Sequence, residues 1–471
     1  MKVLFYARHN SGEWFRYLAS LLDGASSVVV SDTEGEGDVD LTPSFYRALH
    51  TTDTARVALA ALGEPACAEI IARCRLLRSI DRALALRMLG AMWIAVDAVV
   101  EREAPDVAVS FPVDHYILDV LERALRQRGV RYIGFWDAIW PGLMMVTTRG
   151  QHTPLREPAA DEVAAGVAAL VQDEYVPHYV ARGASHGLRR FLAPQLTMGA
   201  RGWAFELLRR VRRNPLDFRY LATWAHVEEY RLGFGDWAYP RRLDARWRDK
   251  LDAVPFERRV FVGLQYNPEG TIDYAVEPVE LIDYRQVLER LAARLSAAGY
   301  ALFVKDHPAM FGLRQDAALR PLARFPGVTF VPYQVPAREL IADCAATFTW
   351  TGTIGLEAAL AGRCAIVAQG TWYAQPEAFL VLSSLRDLDA LPERLAGWVP
   401  PADLPATRHQ LVAHALGSCL PGSADPADFV GQRPPRTDRV AAMRQSLNAL
   451  LPRLAARPTP LAAGPACAAT G

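Results

Sequence analysis

What most constrains this chain is a rhythm. Short apolar runs, each stopped by turn residues, alternate with longer stretches of helical periodicity. "KVLFY" (2–6), "SVVVS" (27–31), "DVAVSF" (106–111) and "VRYIGF" (130–135) mark the first half. "RVFVGL" (259–264), "YALFVK" (300–305), "GVTFV" (327–331), "ATFTW" (346–350) and "CAIVAQ" (364–369) mark the second. Helical patterns such as "DHYILDVLERALRQRG" and "YRQVLERLAARLSAAG" fall between them. Apolar runs parted by helices predict βαβ units, parallel sheets and an α/β fold. A chain of 471 residues is too long for one core, so two doubly wound domains are expected. The first spans 1–250, with a helical insertion near 151–250. The second spans 256–435, followed by a helix at 436–457 and an Ala/Pro/Gly tail, 458–471, that is expected to be disordered.

Composition removes several classes. There are 52 basic and 52 acidic residues, which argues against a charge-driven nucleic-acid binder. The longest apolar stretch, "LALRMLGAMWIAVDAVV", is interrupted by Arg87 and Asp97 and falls short of a membrane span. "MKVLFYARHNSGEW" reads as a first strand rather than a leader. The six cysteines form no CxxC pair and no zinc-spaced cluster with histidine. Free thiols in a reducing cytoplasm, with no metal, are the expectation.

In open α/β sheets, ligands bind outside the carboxyl ends of the strands. Three loops there carry chemistry. In "TWTGTIGLEAAL", Thr349 to Leu360, the residues Thr351, Gly352 and Thr353 precede a helix, whose unpaired N–H groups favour an anion such as phosphate. Gly352 allows close approach, and Glu357, one turn on, can reach a sugar hydroxyl. An ordinary threonine N-cap is the competing reading. In "KDHPAM", Pro308 ends the strand and presents His307 at its carboxyl edge. Imidazole can donate to a phosphate oxygen or a base, and Lys305, one of only three lysines, adds charge. A plain turn is the alternative there. The remaining loop is "LQYNPEGTID", Leu264 to Asp273.

Together these motifs resemble the capsule-polysaccharide biosynthesis proteins, GT-B-type glycosyltransferases of bacterial surface polysaccharides. Some members transfer 3-deoxy-manno-octulosonic acid from its CMP donor. The likeness runs from Arg259 to Trp372. It rests on "LQYNPEGT", on "VKDHP" beside the family's Lys-x-His-Pro, and on "TWTGTIGLEAALAGRCAIV" beside its Ser/Thr-Gly-Thr-x-Gly-x-Glu-Ala run. The resemblance implies two Rossmann-like domains facing a cleft. It implies that His307 and Thr351–Thr353 hold the donor's phosphate and nucleotide, and that a working acid falls on Glu269. In the first half, Trp136-Asp137-Ala138 stands where the family has Glu-x-Gly, so an acid there has moved to Asp137 or been lost.

The leading expectation is therefore a glycosyltransferase that needs no metal or other cofactor. It would move a sugar from a nucleotide-linked donor, CMP-linked among the choices, to a glycan or glycolipid acceptor of capsule or another surface polysaccharide. Glu269 and Asp137 are the catalytic candidates. Lys305, His307, Thr351, Gly352, Thr353 and Glu357 are the donor-binding candidates. A CDP-alcohol glycerophosphotransferase, a nucleotide-sugar epimerase and a non-catalytic assembly protein stay open as alternatives. Arg182 to Arg213 holds eight arginines and one acid, interleaved with apolar residues. That pattern suits an anionic membrane surface on the cytoplasmic side, or else a solvated helix face plus an interdomain contact.

Overall fold

The apolar runs pair as the rhythm predicts. The computed structural model describes all residues except 9–10, 173–186, 212–231, 233, 268, 432–433 and 457–471. The strands of the first half are β1 (Lys2–Ala7), β2 (Ser26–Ser31), β3 (Val39–Asp40), β4 (Val107–Ser110), β5 (Arg131–Asp137) and β6 (Leu143–Thr147). Those of the second are β7 (Arg259–Gly263), β8 (Ala301–Lys305), β9 (Val328–Val331), β10 (Ala346–Phe348), β11 (Cys364–Ala368) and β12 (Phe379–Leu382). A last strand, β13 (Cys419–Pro421), returns to the first sheet.

The second sheet is parallel throughout, in the order β12-β11-β10-β7-β8-β9. Counted within its own unit this is 6-5-4-1-2-3, the doubly wound order of dinucleotide-binding sheets. The first sheet runs β13-β6-β5-β4-β1-β2-β3, parallel from β5 to β3. It is extended at one edge by the antiparallel strands β6 and β13. In each sheet the strand order reverses between the first and fourth strand, β1/β4 and β7/β10. At such a point adjacent loops leave in opposite directions and open a crevice.

Central strands are apolar on both faces because helices cover both. Val260, Val262, Leu302, Val304, Phe330 and Ile366 are all buried in one cluster with the helix Tyr284–Ala297. That helix starts on Asp283, whose carboxylate accepts the N–H of Gln286, and buries Val287, Leu288, Leu291 and Leu295. Against the expectation that this apolar stretch falls short of a span, the helix Arg82–Glu103 is long and apolar enough, by length and composition, to cross a membrane. Its residues from Ala85 to Val100 are largely buried, and it packs on the helices Thr42–Thr51, Thr54–Leu62 and Tyr116–Gln127. The five described cysteines are all free and buried.

The units divide differently from the expected halves. One comprises Met1–Ile70, Arg82–Thr148 and the chain from Cys419 onward; the other comprises Ile71–Asp81 and Arg149–Ser418. The region 151–250, expected as an insertion of the first domain, thus counts with the second. The C-terminal helix, Thr437–Ala455, counts with the first. The cause is its apolar face: Met443, Leu447, Leu450 and Leu454 are buried, and the helix packs on β13 and β4. The segment 71–81 joins the second unit through arginine contacts. The expected tail, 458–471, lies outside the described residues.

Candidate functional site

At the switch point of the second sheet one side chain bridges the two loops. Gln265, just past β7, is buried. Its amide oxygen accepts the N–H of Thr351 at 2.7 Å, and its amide nitrogen donates to the Thr351 hydroxyl at 3.1 Å. The same nitrogen lies 3.4 Å from the Thr271 hydroxyl. The loops after β7 and β10 are therefore tied to one another. Gly352 fits this arrangement rather than an open cradle. A Cβ there would lie 2.7 Å from the Thr349 hydroxyl and 3.3 Å from Gln265 Cγ, so the glycine lets the loop close on Gln265. Thr353 occupies the N-cap position of the helix Ile354–Leu360 without a side-chain capping bond. That helix has seven residues, so its dipole is modest.

At the end of β8 the turn is built around Asp306. Its buried carboxylate accepts from Arg314 (Nη2, 2.6 Å; Nε, 3.1 Å), from the Tyr333 hydroxyl and from the His307 N–H at 2.7 Å. Arg314 also donates to the Gln265 carbonyl at 2.8 Å, which links the β8 turn to the β7 loop. This buried ion pair is hydrogen-bonded on both sides, the condition under which desolvation is best repaid. Behind it, Tyr284 stacks on Trp350 at 4.4 Å.

That scaffold fixes the state of His307. Its Nδ1 accepts the N–H of Ala309 at 3.2 Å, so Nε2 carries the proton. Burial pushes the imidazole down to about 4, outweighing the pull of Asp306. His307 is thus a neutral Nε2–H donor at pH 7. The expected imidazole donor is present, without the charge. The positive charge comes from Lys305, buried opposite Gly263 in the β7–β8 register. Its ammonium lies 3.3 Å from the Asp306 carbonyl, and burial lowers it to about 8.

Glu269 is half-buried at the N-cap position of the helix Gly270–Asp273 and makes no side-chain cap bond. Burial raises its carboxyl to about 7, against the lowering effects of Thr271, Arg75 and Gln265. That is the range in which one group can give or take a proton at neutral pH. Glu357 is also half-buried and raised by burial, with Arg338 and the Thr353 hydroxyl pulling the other way.

Six of the eight expected site residues therefore lie at or just past the carboxyl ends of β7, β8 and β10, and Glu357 lies in the helix that follows β10. Asp137 is not among them. It ends β5 of the other unit, where its carboxylate accepts the Ala424 N–H at 2.8 Å and the Ser423 hydroxyl at 3.3 Å. Gln265, Arg314 and Tyr333 went unassigned from sequence. Gln265 stood inside a quoted motif, but nothing local marked the other two. Pro268 of the same motif lies outside the described residues. Among the described residues, no group of three His, Cys, Asp or Glu could hold a metal ion.

Fold and site define an α/β protein with the strand order of nucleotide-binding sheets and a basic, hydroxyl-lined switch point in its second unit. Residues 241–376, which contain these loops, match the family model described as capsule polysaccharide biosynthesis protein, the family whose motifs the sequence resembles. No curated protein matches the chain. Among solved structures the chain is similar to the KpsC beta Kdo 2,7 transferase of Thermosulfurimonas dismutans, at 12% identity and TM-score 0.33, over 75% of this chain and 88% of that one. It is similar to the UDP-GlcNAc 2-epimerase of Neisseria meningitidis, at 10% identity and TM-score 0.27, over 89% and 97%. It is also similar to a glycosyltransferase of kitacinnamycin, at 15% identity and TM-score 0.26, over 88% and 95%.

Proposed function

We propose that the protein is a glycosyltransferase of capsule or related surface-polysaccharide synthesis. It would take its sugar from a nucleotide-linked donor at the switch point of the second sheet. What carries this reading is the arrangement past β7: Gln265 is bonded to Thr351 and lies beside the half-buried Glu269, whose carboxyl burial raises to about 7. Lys305 and the His307 Nε2–H supply a cation and a neutral donor suited to a phosphate. Glu269 exchanges the proton of the transfer step, while Lys305 steadies the charge on the leaving phosphate. The family match over 241–376 supports a place in capsule-polysaccharide synthesis. A CMP-linked sugar is the first donor to try, and the chemistry calls for no metal.

The test is turnover by the full-length protein with CMP-, UDP-, GDP- and CDP-linked sugars. Nucleotide release that depends on donor and falls in Glu269→Gln is the expected result. Tight nucleotide binding with no turnover of any donor would instead favour an assembly protein.

Membrane attachment is a second part of the proposal. The helix Leu188–Val211 exposes Leu196, Trp203, Leu207 and Val211, with Trp203 82% exposed. The last three follow the four-residue spacing of one helix side. Arg189, Arg190 and Arg201 lie on the same helix. An anionic lipid surface would take both the apolar side and the charge. Arg182, Arg212 and Arg213 lie outside the described residues.

A further inference from the structure

The arginines of residues 71–81 carry no motif, yet they grip the site loop. The helix Glu64–Arg73 begins in the first unit and ends in the second. At its end, Arg73 is 3% exposed and donates to three carbonyl oxygens, those of Asp273 (2.9 Å), Val276 (2.7 Å) and Glu277 (2.5 Å). These acceptors end or follow the helix Gly270–Asp273, where carbonyls lack helical partners. Two more guanidinium groups reach the Asp273 carboxylate, Arg75 Nε at 2.8 Å and Arg78 Nη1 at 2.8 Å. Asp273 is itself 3% exposed, and its N–H donates to the Glu269 carbonyl at 3.1 Å. A chain of direct bonds thus runs from the strap to the backbone of Glu269.

We propose that this strap positions Glu269, and that Arg75, paired with Asp273, is the positioning residue for its carboxyl. The inference rests on the acid–base role proposed for Glu269. The groups that bear on that carboxyl are Arg75 from the strap, Thr271 and Asp273 from the short helix, Gln265 from the β7 loop, and Tyr284 from the helix Tyr284–Ala297. Arg75 and Asp273 act with opposite sign: the cation favours the carboxylate and the anion disfavours it. Their ion pair presents both charges side by side. Removing either one unbalances the field in a predictable direction, whereas merely loosening the loop would not depend on which charge is lost.

The experiment uses full-length Arg75→Gln, Arg75→Lys and Asp273→Asn proteins. The pH profile of donor turnover is read first, and the titration of carboxyl-labelled glutamate by NMR second, with Glu269→Gln identifying the signal. The NMR measurement needs no activity. In Arg75→Gln the Glu269 transition should move up by roughly half a pH unit or more, and in Asp273→Asn it should move down. Arg75→Lys should restore it. If both charge variants shift the transition the same way, or leave it in place while only melting earlier, the strap is a plain structural clamp and the proposal is overturned. Thermal unfolding of all three variants checks that each is folded at the temperature of the titration. If Glu269→Gln keeps the turnover limb while the NMR shifts still go in opposite directions, the acid–base reading has failed and the positioning of the carboxyl stands.

Discussion

Gln265 and Thr351, 86 positions apart, are joined twice, the backbone N–H of Thr351 to the side-chain oxygen and the side-chain nitrogen to the hydroxyl. One residue thereby holds the β7 and β10 loops at a fixed separation. Gln265→Ala leaves a buried N–H without its acceptor. It should cost about 2 kcal/mol of stability and weaken nucleotide binding as the loops part. Calorimetry with CMP and UDP, beside thermal unfolding, reads both. A variant with a wild-type melting temperature and wild-type affinity would show that the loops are held by other means.

Lys305 and His307 should separate by pH. Below about 8 the ammonium is charged and attracts phosphate, and above it that charge is lost. Nucleotide affinity should fall between pH 7 and 9, and Lys305→Arg should abolish the fall. His307, lowered to about 4, should contribute no pH dependence between 5.5 and 8. His307→Ala should still lose roughly 1.5–3 kcal/mol of binding, the range for a hydrogen bond to a charged group. Titration calorimetry across pH decides.

Removing the Lys305 charge should also stabilise the fold. Moving the group from 10.5 to about 8 corresponds to roughly 3 kcal/mol of disfavoured charging. Lys305→Met should melt higher at pH 7 while binding nucleotide poorly. An unchanged or lower melting temperature would mean that the ammonium is satisfied where it lies.

Glu269 sets a stability trend of the opposite charge type. Its carboxyl is raised from 4.5 to about 7 in the folded state. The unfolded chain therefore releases that proton first, and stability falls as pH rises from about 4.5 to 7. Glu269→Gln should flatten this fall and bind donor like the wild type, yet lose on the order of a hundredfold in turnover. Asp137→Asn should instead cost about 1 kcal/mol of stability through its bonds to Ala424 and Ser423, seen as a lower melting temperature, with turnover per folded molecule nearly intact. The reverse pattern in the two variants would move the catalytic assignment to Asp137.

Trp203→Glu tests the membrane side. Wild-type protein should sediment with anionic vesicles at low salt and the variant should not. Equal sedimentation of both would remove the exposed helix from the contact.

Much of this was legible because strands and helices advertise themselves by period. The nine quoted runs all became strands, and the His-Pro turn and Thr-Gly-Thr loop fell at strand ends, where parallel sheets place ligands. What escaped was non-local. The strand β6, "LMMVT", is not among the apolar runs singled out, and β13 is three residues long, too short to show a period. Asp306 was plain in "KDHP", but Arg314 and Tyr333 are ordinary residues until the fold brings them to its carboxylate. The charge state of His307 was also beyond sequence, because burial decides it.

The crossing of the helix Glu64–Arg73 from one unit into the other bears on how this gene could be divided. A fragment beginning near residue 149 would include every strand of the second sheet and still lack Arg73, Arg75 and Arg78. Three backbone carbonyls would lose their donor, and Asp273 would keep its charge without a counterion. Recombination that exchanged this region between relatives would meet the same obstacle. A second unit imported from another protein would arrive without the eleven residues whose arginines grip the 273–277 segment, unless the incoming sequence brought a matching strap upstream.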